Sequence, residues 1–217
     1  YLGGFLNIIK QFDRLTVSPS VRMDYNKSYN TQISPQLDIN YNHKKYIVRG
    51  SVGRTIRSAD FTERFYNNNY SDTLSAGRNI GNPNLIAEEG LNYEIGFDYN
   101  QNSGLVSRNT VFFRNSKNMI DWILTNSNEI STGIWLYDDA DYLVAKNISN
   151  LKTLGFESEL WLPLVQIQSL SINGSLGYIK IFSAEESKDL FNNNYTLSSK
   201  YLANNSGDRL NYNVFFN

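Results

Sequence analysis

Cysteine is absent from the 217-residue chain and histidine occurs once. The first absence removes disulfides, thiolate metal sites and cysteine nucleophiles together, and the second removes any histidine-cluster metal site or histidine-rich switch. Thiol usage therefore says nothing about the compartment. An excess of one charge is missing too. With 20 Lys+Arg against 21 Asp+Glu the formal net charge is -1, so there is no basic footprint for nucleic acid and no acidic tail. Long apolar runs are also lacking. Hydrophobic residues make up 41%, which excludes a helical membrane bundle, and no segment is apolar for long enough to be a transmembrane helix. What is abundant is asparagine, 30 residues, and aromatics, 15 Tyr, 12 Phe and 3 Trp, with only 4 Pro. Strand-forming aromatics mixed with turn-forming amides point to an all-β chain with wet loops. The chain starts at Tyr1 without Met, has no charged-then-apolar leader, and stops inside an alternating run at Phe216-Asn217. The expectation is a piece of something longer.

Apolar residues recur with a period of two, as in strands facing two different environments. Leu15, Val17, Pro19, Val21, Met23 and Tyr25 oppose Thr16, Ser18, Ser20, Arg22 and Asp24. The same division occurs over 33–41, 91–99 and 170–178, and more weakly over 45–57, 106–123, 154–162 and 209–216, with a first segment near 4–12. That makes about nine strands. Short turns near Asp13, 42–44, 101–104 and Pro163 alternate with longer polar stretches at 58–87, 125–149 and 183–206; the connection at 27–30 is brief. Transmembrane β-barrels show this asymmetry of short turns at one rim and long loops at the other. Ten residues at about 3.3 Å span roughly 33 Å, which a tilt of about 45° reduces to about 24 Å, the height of an outer-membrane apolar band. The alternative is a soluble one-sided sheet, which needs a covering layer that no helical pattern here supplies. Pro19 and Pro35 stand against an unbroken ladder.

At residues 53–99 the chain resembles a known family. Gly53-Arg54-Thr55-Ile56-Arg57-Ser58-Ala59-Asp60-Phe61-Thr62-Glu63-Arg64-Phe65-Tyr66, then Gly81-Asn82-Pro83-Asn84-Leu85, Glu88 and Asn92-Tyr93-Glu94-Ile95-Gly96-Phe97-Asp98-Tyr99 are similar to the barrel of TonB-dependent outer-membrane receptors. The strands at 15–25 and 34–37 and Leu154-Gly155-Phe156-Glu157 fit the same order. Ser58-Ala59-Asp60 and Ile86-Ala87 depart from the family's usual Ala-Pro-Ser and Lys-Pro, which leaves the subfamily open. The resemblance implies an antiparallel transmembrane β-barrel of 22 strands in the bacterial outer membrane, of which residues 1–217 are an internal part, without the plug domain and the closing strands. It implies TonB-dependent import of a large scarce nutrient, such as an iron-siderophore or a cobalamin-like corrinoid, with TonB acting through the plug. The partners implied are that ligand, the TonB complex and outer-membrane lipid, not nucleic acid. Enzymatic chemistry and a resident cofactor are not expected. A small self-contained outer-membrane barrel with a structural or adhesion role is the rival, opposed by the odd strand count.

Phe61, Glu63, Arg64, Phe65 and Tyr66 are candidates for ligand binding, because aromatic faces and a guanidinium near a barrel mouth offer stacking and charged hydrogen bonds. Local pairing of Arg64 with Glu63 and loop packing are the alternative. Trp135 and Tyr137 could contact a large planar ligand. Asp138, Asp139 and Asp141 could supply oxygens to calcium or simply solvate the loop. Gly81 to Leu85 read as a turn re-entering the barrel, and His43 has no nucleophile at useful spacing.

Overall fold

The computed structural model describes residues 2–27, 29–101, 103–167, 170–189 and 207–216. The strands are β1 (Leu2–Asn7), β2 (Lys10–Phe12), β3 (Leu15–Asn26), β4 (Asn30–His43), β5 (Tyr46–Arg57), β6 (Asn79–Ile80), β7 (Glu88–Asn100), β8 (Val106–Lys117), β9 (Met119–Asn126), β10 (Asp141–Ile167), β11 (Leu170–Asp189) and β12 (Asp208–Phe216), with one short helix, α1 (Phe61–Phe65). Nine strands lie on one path, β1-β3-β4-β5-β7-β8-β10-β11-β12, antiparallel throughout. The remaining three attach sideways: β2 to β3, and β6 and β9 to β10. Left-handed φ values at Asp13 and Lys44 (47° and 55°) turn two of the hairpins.

Register puts all the alternating apolar positions on one side of the sheet. Leu37 lies opposite Val52, Val52 opposite Tyr93, and Tyr93 opposite Phe113. On that side Ile33, Val48, Ile95, Leu154, Leu176 and Leu210 are all exposed, the pattern of a surface made for hydrocarbon. The opposite side is polar, and ion pairs cross it. Arg49 Nη2 meets Asp98 Oδ1 at 2.8 Å, and Arg108 reaches Glu159 at 3.5 Å one strand pair further on. Gly155 lets the sheet pack an aromatic flat against this inner wall, because a Cβ there would lie 2.2 Å from the Phe112 ring.

Four segments differ from the alternation pattern. The first strand is two, interrupted at Ile8-Ile9, although the Ile8 amide still donates to the Pro19 carbonyl at 3.0 Å. The run 106–123 breaks at Asn118, which takes φ 56° and separates β8 from β9. The stretch 125–149 is not one long loop: β10 already starts at Asp141 and pairs with β9 from Asp141↔Asn126 to Asn147↔Ile120. Within 183–206, β11 continues to Asp189, and 190–206 lie outside the described residues.

The wall is also not uniformly zipped. β3 pairs with β4 all the way to Asn26↔Asn30, whereas the β4–β5 ladder ends at Gln36↔Gly53, beside Pro35, which has no amide hydrogen to donate. Above that point the two hairpins part. Arg54 bridges the seam by donating from Nη1 to the Ile33 carbonyl at 2.8 Å.

The buried apolar clusters do not lie in this wall. They sit above it, where 59–87 meets 119–148: Leu74, Ile80, Ile134, Tyr142 and Val144 form one; Ala59, Leu85, Ile120 and Ala145 a second; Met119, Ile123 and Ile148 a third.

Candidate ligand-binding mouth

The mouth is organised around α1. Asp60 caps it: its Oδ1 accepts from the Glu63 amide at 2.7 Å, and Glu63 Oε2 accepts from the Asp60 amide at 2.9 Å. These two bonds form a reciprocal capping box that lets a five-residue helix persist. Glu63 is only 7% exposed, and its carboxylate also takes Arg57 Nη1 at 3.0 Å. Arg57, at the loop end of β5, bonds Glu88 as well, Nη2 to Oε1 at 2.5 Å. The bond to Glu88 is the main influence holding its pKa further above the ordinary arginine value; burial opposes this and Glu63 reinforces it. Glu88 Oε1 accepts a second donor, the Ile120 amide, at 2.7 Å. One guanidinium and two carboxylates thus tie α1, β5, β7 and β9 together.

The Gly81-to-Leu85 run is fastened to the end of this helix. The Gly81 amide donates to the Tyr66 carbonyl at 2.8 Å and the Asn82 amide to the Glu63 carbonyl at 2.9 Å. A Cβ on residue 81 would come within 2.6 Å of the Phe65 and Tyr66 nitrogens, so only glycine permits the approach. Arg64 donates to the Pro83 carbonyl at 2.7 Å, with its guanidinium 5.3 Å from the Tyr29 ring centre and 5.0 Å from that of Phe65. Asn147 then closes the assembly. Its side chain accepts from the Ile86 amide and donates to the Ile86 and Asn118 carbonyls, completing backbone pairs that no strand supplies.

The second half of the mouth is the β9–β10 hairpin. Tyr142, 0% exposed, accepts from the Tyr137 amide at 3.0 Å and donates to the Leu74 carbonyl at 2.7 Å. The Leu74 amide donates to the Trp135 carbonyl at 2.8 Å. These bonds leave the side chains of Trp135 (73% exposed) and Tyr137 standing out in solvent.

Two clefts open here. One, of about 830 Å³, follows the seam and is lined by Arg22, Tyr29, Gln32, Gln36, Arg54 and Arg57 among others. The second, of about 860 Å³, lies between the Gly81-to-Leu85 run and the hairpin, with Phe65, Asn69, Asn84, Ser131 and Lys146 in its walls.

Of the residues singled out in the sequence, Phe61 and Phe65 form a ring pair at 5.2 Å, and Phe65 lines the second cleft. Phe61 (78% exposed) and Tyr66 are on the surface. Glu63 does not pair with Arg64. Its carboxylate is spent on Arg57 and the cap, and Arg64 is held by Pro83 and two rings. Trp135 and Tyr137 form a separate group on the hairpin. Asp139 and Asp141 accept from Asn126, and among the described residues no three His, Asp or Glu side chains are placed to hold a metal ion. Nothing local in the sequence marks the roles of Tyr142, Asn147 and Tyr29. The helix does carry a readable signal, Asp60 followed three residues later by Glu63.

The pattern of the family described as TonB dependent receptor-like, beta-barrel, matches residues 2–217. The chain belongs to this family. It is a sector of a TonB-dependent receptor barrel, and its place is the outer membrane. An iron-regulated outer membrane virulence protein of Vibrio cholerae serotype O1 is 28% identical over 152 residues, which are 69% of this chain and 23% of the relative. Among solved structures, the siderophore receptor PirA from Pseudomonas aeruginosa is 21% identical, covering 85% of this chain and 34% of that one with a TM-score of 0.66. The outer membrane transporter YddB from Escherichia coli is 16% identical, covering 99% and 30% at 0.68. A variant of the ferric enterobactin receptor PfeA from Pseudomonas aeruginosa, in complex with enterobactin, is 23% identical, covering 82% and 26% at 0.63. This receptor chain therefore spans 23% to 34% of the length of these relatives. The structural matches carry the strand architecture of its barrel.

Proposed function

We propose that the chain is the part of an outer-membrane import receptor that captures a ferric siderophore at the barrel mouth, for uptake driven by TonB through a plug domain outside these residues. The observation that carries this reading is the mouth itself: two clefts of about 830 and 860 Å³, held open by a fastened helix and a hairpin with its own core. A cleft of that size fits a large compact ligand rather than a small ion. The names of the relatives, iron-regulated in one case and siderophore receptors in others, favour iron complexes over a corrinoid. The exposure of Phe61, Phe65, Tyr66, Trp135 and Tyr137 supports them as first contacts for the ligand, and the bonds of Glu63 and Arg64 support a role in holding that surface. The work is binding and gating, with no bond chemistry. The test is uptake of radioactive iron by iron-starved cells expressing the full-length receptor, in the presence and absence of TonB. Siderophore-dependent uptake that disappears without TonB supports the reading; TonB-dependent uptake of a corrinoid without iron overturns it.

A further inference from the structure

Breaks in the wall converge on one transverse line. β1 gives way to β2 at Ile8-Ile9, where the Ile8 amide meets Pro19. Pro35 pairs with Val21, two residues beyond Pro19 on β3, and the β4–β5 ladder stops beside it at Gln36↔Gly53. In a strand the N–H and C=O of one residue point to the same neighbour, and residues of equal parity point alike. The Ile8 amide donates to the Pro19 carbonyl, so Pro19 faces β1 and β2; Arg54 donates to the Ile33 carbonyl, so Pro35 faces β5. Each proline therefore lacks its amide hydrogen on the side where pairing fails.

Above this line, β1, residues 20–26 of β3 and residues 30–35 of β4 stay paired with one another, from Leu2↔Tyr25 to Asn7↔Ser20 and from Val21↔Pro35 to Asn26↔Asn30. Across the seam, β5 keeps its ladder with β7 up to Arg57↔Glu88. A three-stranded panel thus stands beside a fixed edge with no rung joining them. The cleft in the gap passes through the wall: Gln32, Gln36 and Arg57 line it from the inner side, and Val21, Arg54 and Ile56 from the outer side. The panel is fastened by Arg54 on the Ile33 carbonyl and, at its tip, by Tyr29, which packs on the Ala59, Leu85, Ile120 and Ala145 cluster with the Arg64 guanidinium 5.3 Å from its ring centre. That tip contact is imperfect. Tyr29 Oη and Arg64 Nε are both buried without a hydrogen-bond partner among the described residues, a cost that exposure to water would remove.

We propose that residues 2–7, 20–26 and 30–35 form a hinged side door of the mouth, which turns about the line through Ile8, Pro19 and Pro35 and opens the seam when Tyr29 leaves Arg64. Six residues of strand reach about 20 Å from the hinge, so a rotation of about 15° carries the tip about 5 Å. The test is the distance between paired spin labels in the full-length receptor in detergent. One pair lies above the line, Thr31→Cys/Lys117→Cys, and one below it, Ile39→Cys/Val111→Cys; both join β4 to β8 at exposed positions. Tyr29→Ala and Arg54→Ala are each expected to add a population about 5 Å longer in the upper pair and to leave the lower pair unchanged. Adding Pro35→Val to Tyr29→Ala supplies an amide hydrogen facing β5 and is expected to remove that population. An upper pair that ignores both latch variants, a lower pair that lengthens as much, or a longer population that survives Pro35→Val overturns the hinge. None of these distances depends on which nutrient the receptor carries, so the siderophore reading stands or falls separately.

Discussion

The wall and the mouth of this receptor are built on opposite rules. In the wall, strands such as β4, β5 and β7 carry apolar side chains outward and polar ones inward, and among the described residues no buried apolar cluster forms there. Its order comes from backbone ladders and from ion pairs such as Arg49–Asp98. In the mouth, three apolar clusters are buried, and side chains such as Tyr142 and Asn147 bond the backbone of distant segments. The difference lies in the solvent. Lipid on one side and a polar interior on the other need a two-sided strand, whereas loops in water must make a core of their own.

Substitutions that damage one region and spare the other would sharpen this contrast. Tyr142→Ala removes a fully buried ring and its two hydrogen bonds and is expected to cost the mouth about 3–5 kcal/mol. Limited proteolysis should then cut at 127–140, with the heat-resistant gel mobility of the barrel retained. The converse is Ile95→Arg, on the lipid side of β7, at about 2–4 kcal/mol near mid-bilayer. Reduced folding yield into lipid vesicles would reveal it, while a receptor that does insert keeps its loop protection. Gly81→Ala forces a Cβ against the end of α1 and should cost about 1–3 kcal/mol, read as faster amide exchange over 60–66. Smallest is Phe61→Ala, exposed on α1, with a stability change within about 0.5 kcal/mol and a visible effect only on ligand affinity. A thermal midpoint shifted by several degrees would show that Phe61 is part of the fold and not of the binding surface.

The same contrast explains what the sequence disclosed. Strands such as 15–25 and 91–99 were legible because their two faces meet different media. The start of β10 reads as loop in the sequence because Tyr142, Val144, Ala145, Asn147 and Ile148 are buried irrespective of parity, so no period of two marks it. Asn118 broke a strand where only a tolerance for positive φ hints at it. At the site, exposed aromatics were visible as residue types, but the partner of Glu63 was not. Adjacent residues on a helix diverge, so Arg64 turned to Tyr29 and Pro83 while Glu63 met Arg57, six residues earlier on β5.

Asn147 also bears on the order of assembly. It joins Ile86 and Asn118, which lie 61 and 29 residues away along the chain. Contacts so remote in sequence require large loops to close first, and closure becomes cheap only after β7, β8 and β10 are side by side. Pulse-labelled amide exchange during refolding into vesicles should find Ile86 protected later than Ile95; the reverse order would refute the idea. On this view the outer surface of the receptor is the last part to mature, so a newly inserted barrel spends its first moments in the membrane with an unfinished face toward the outside.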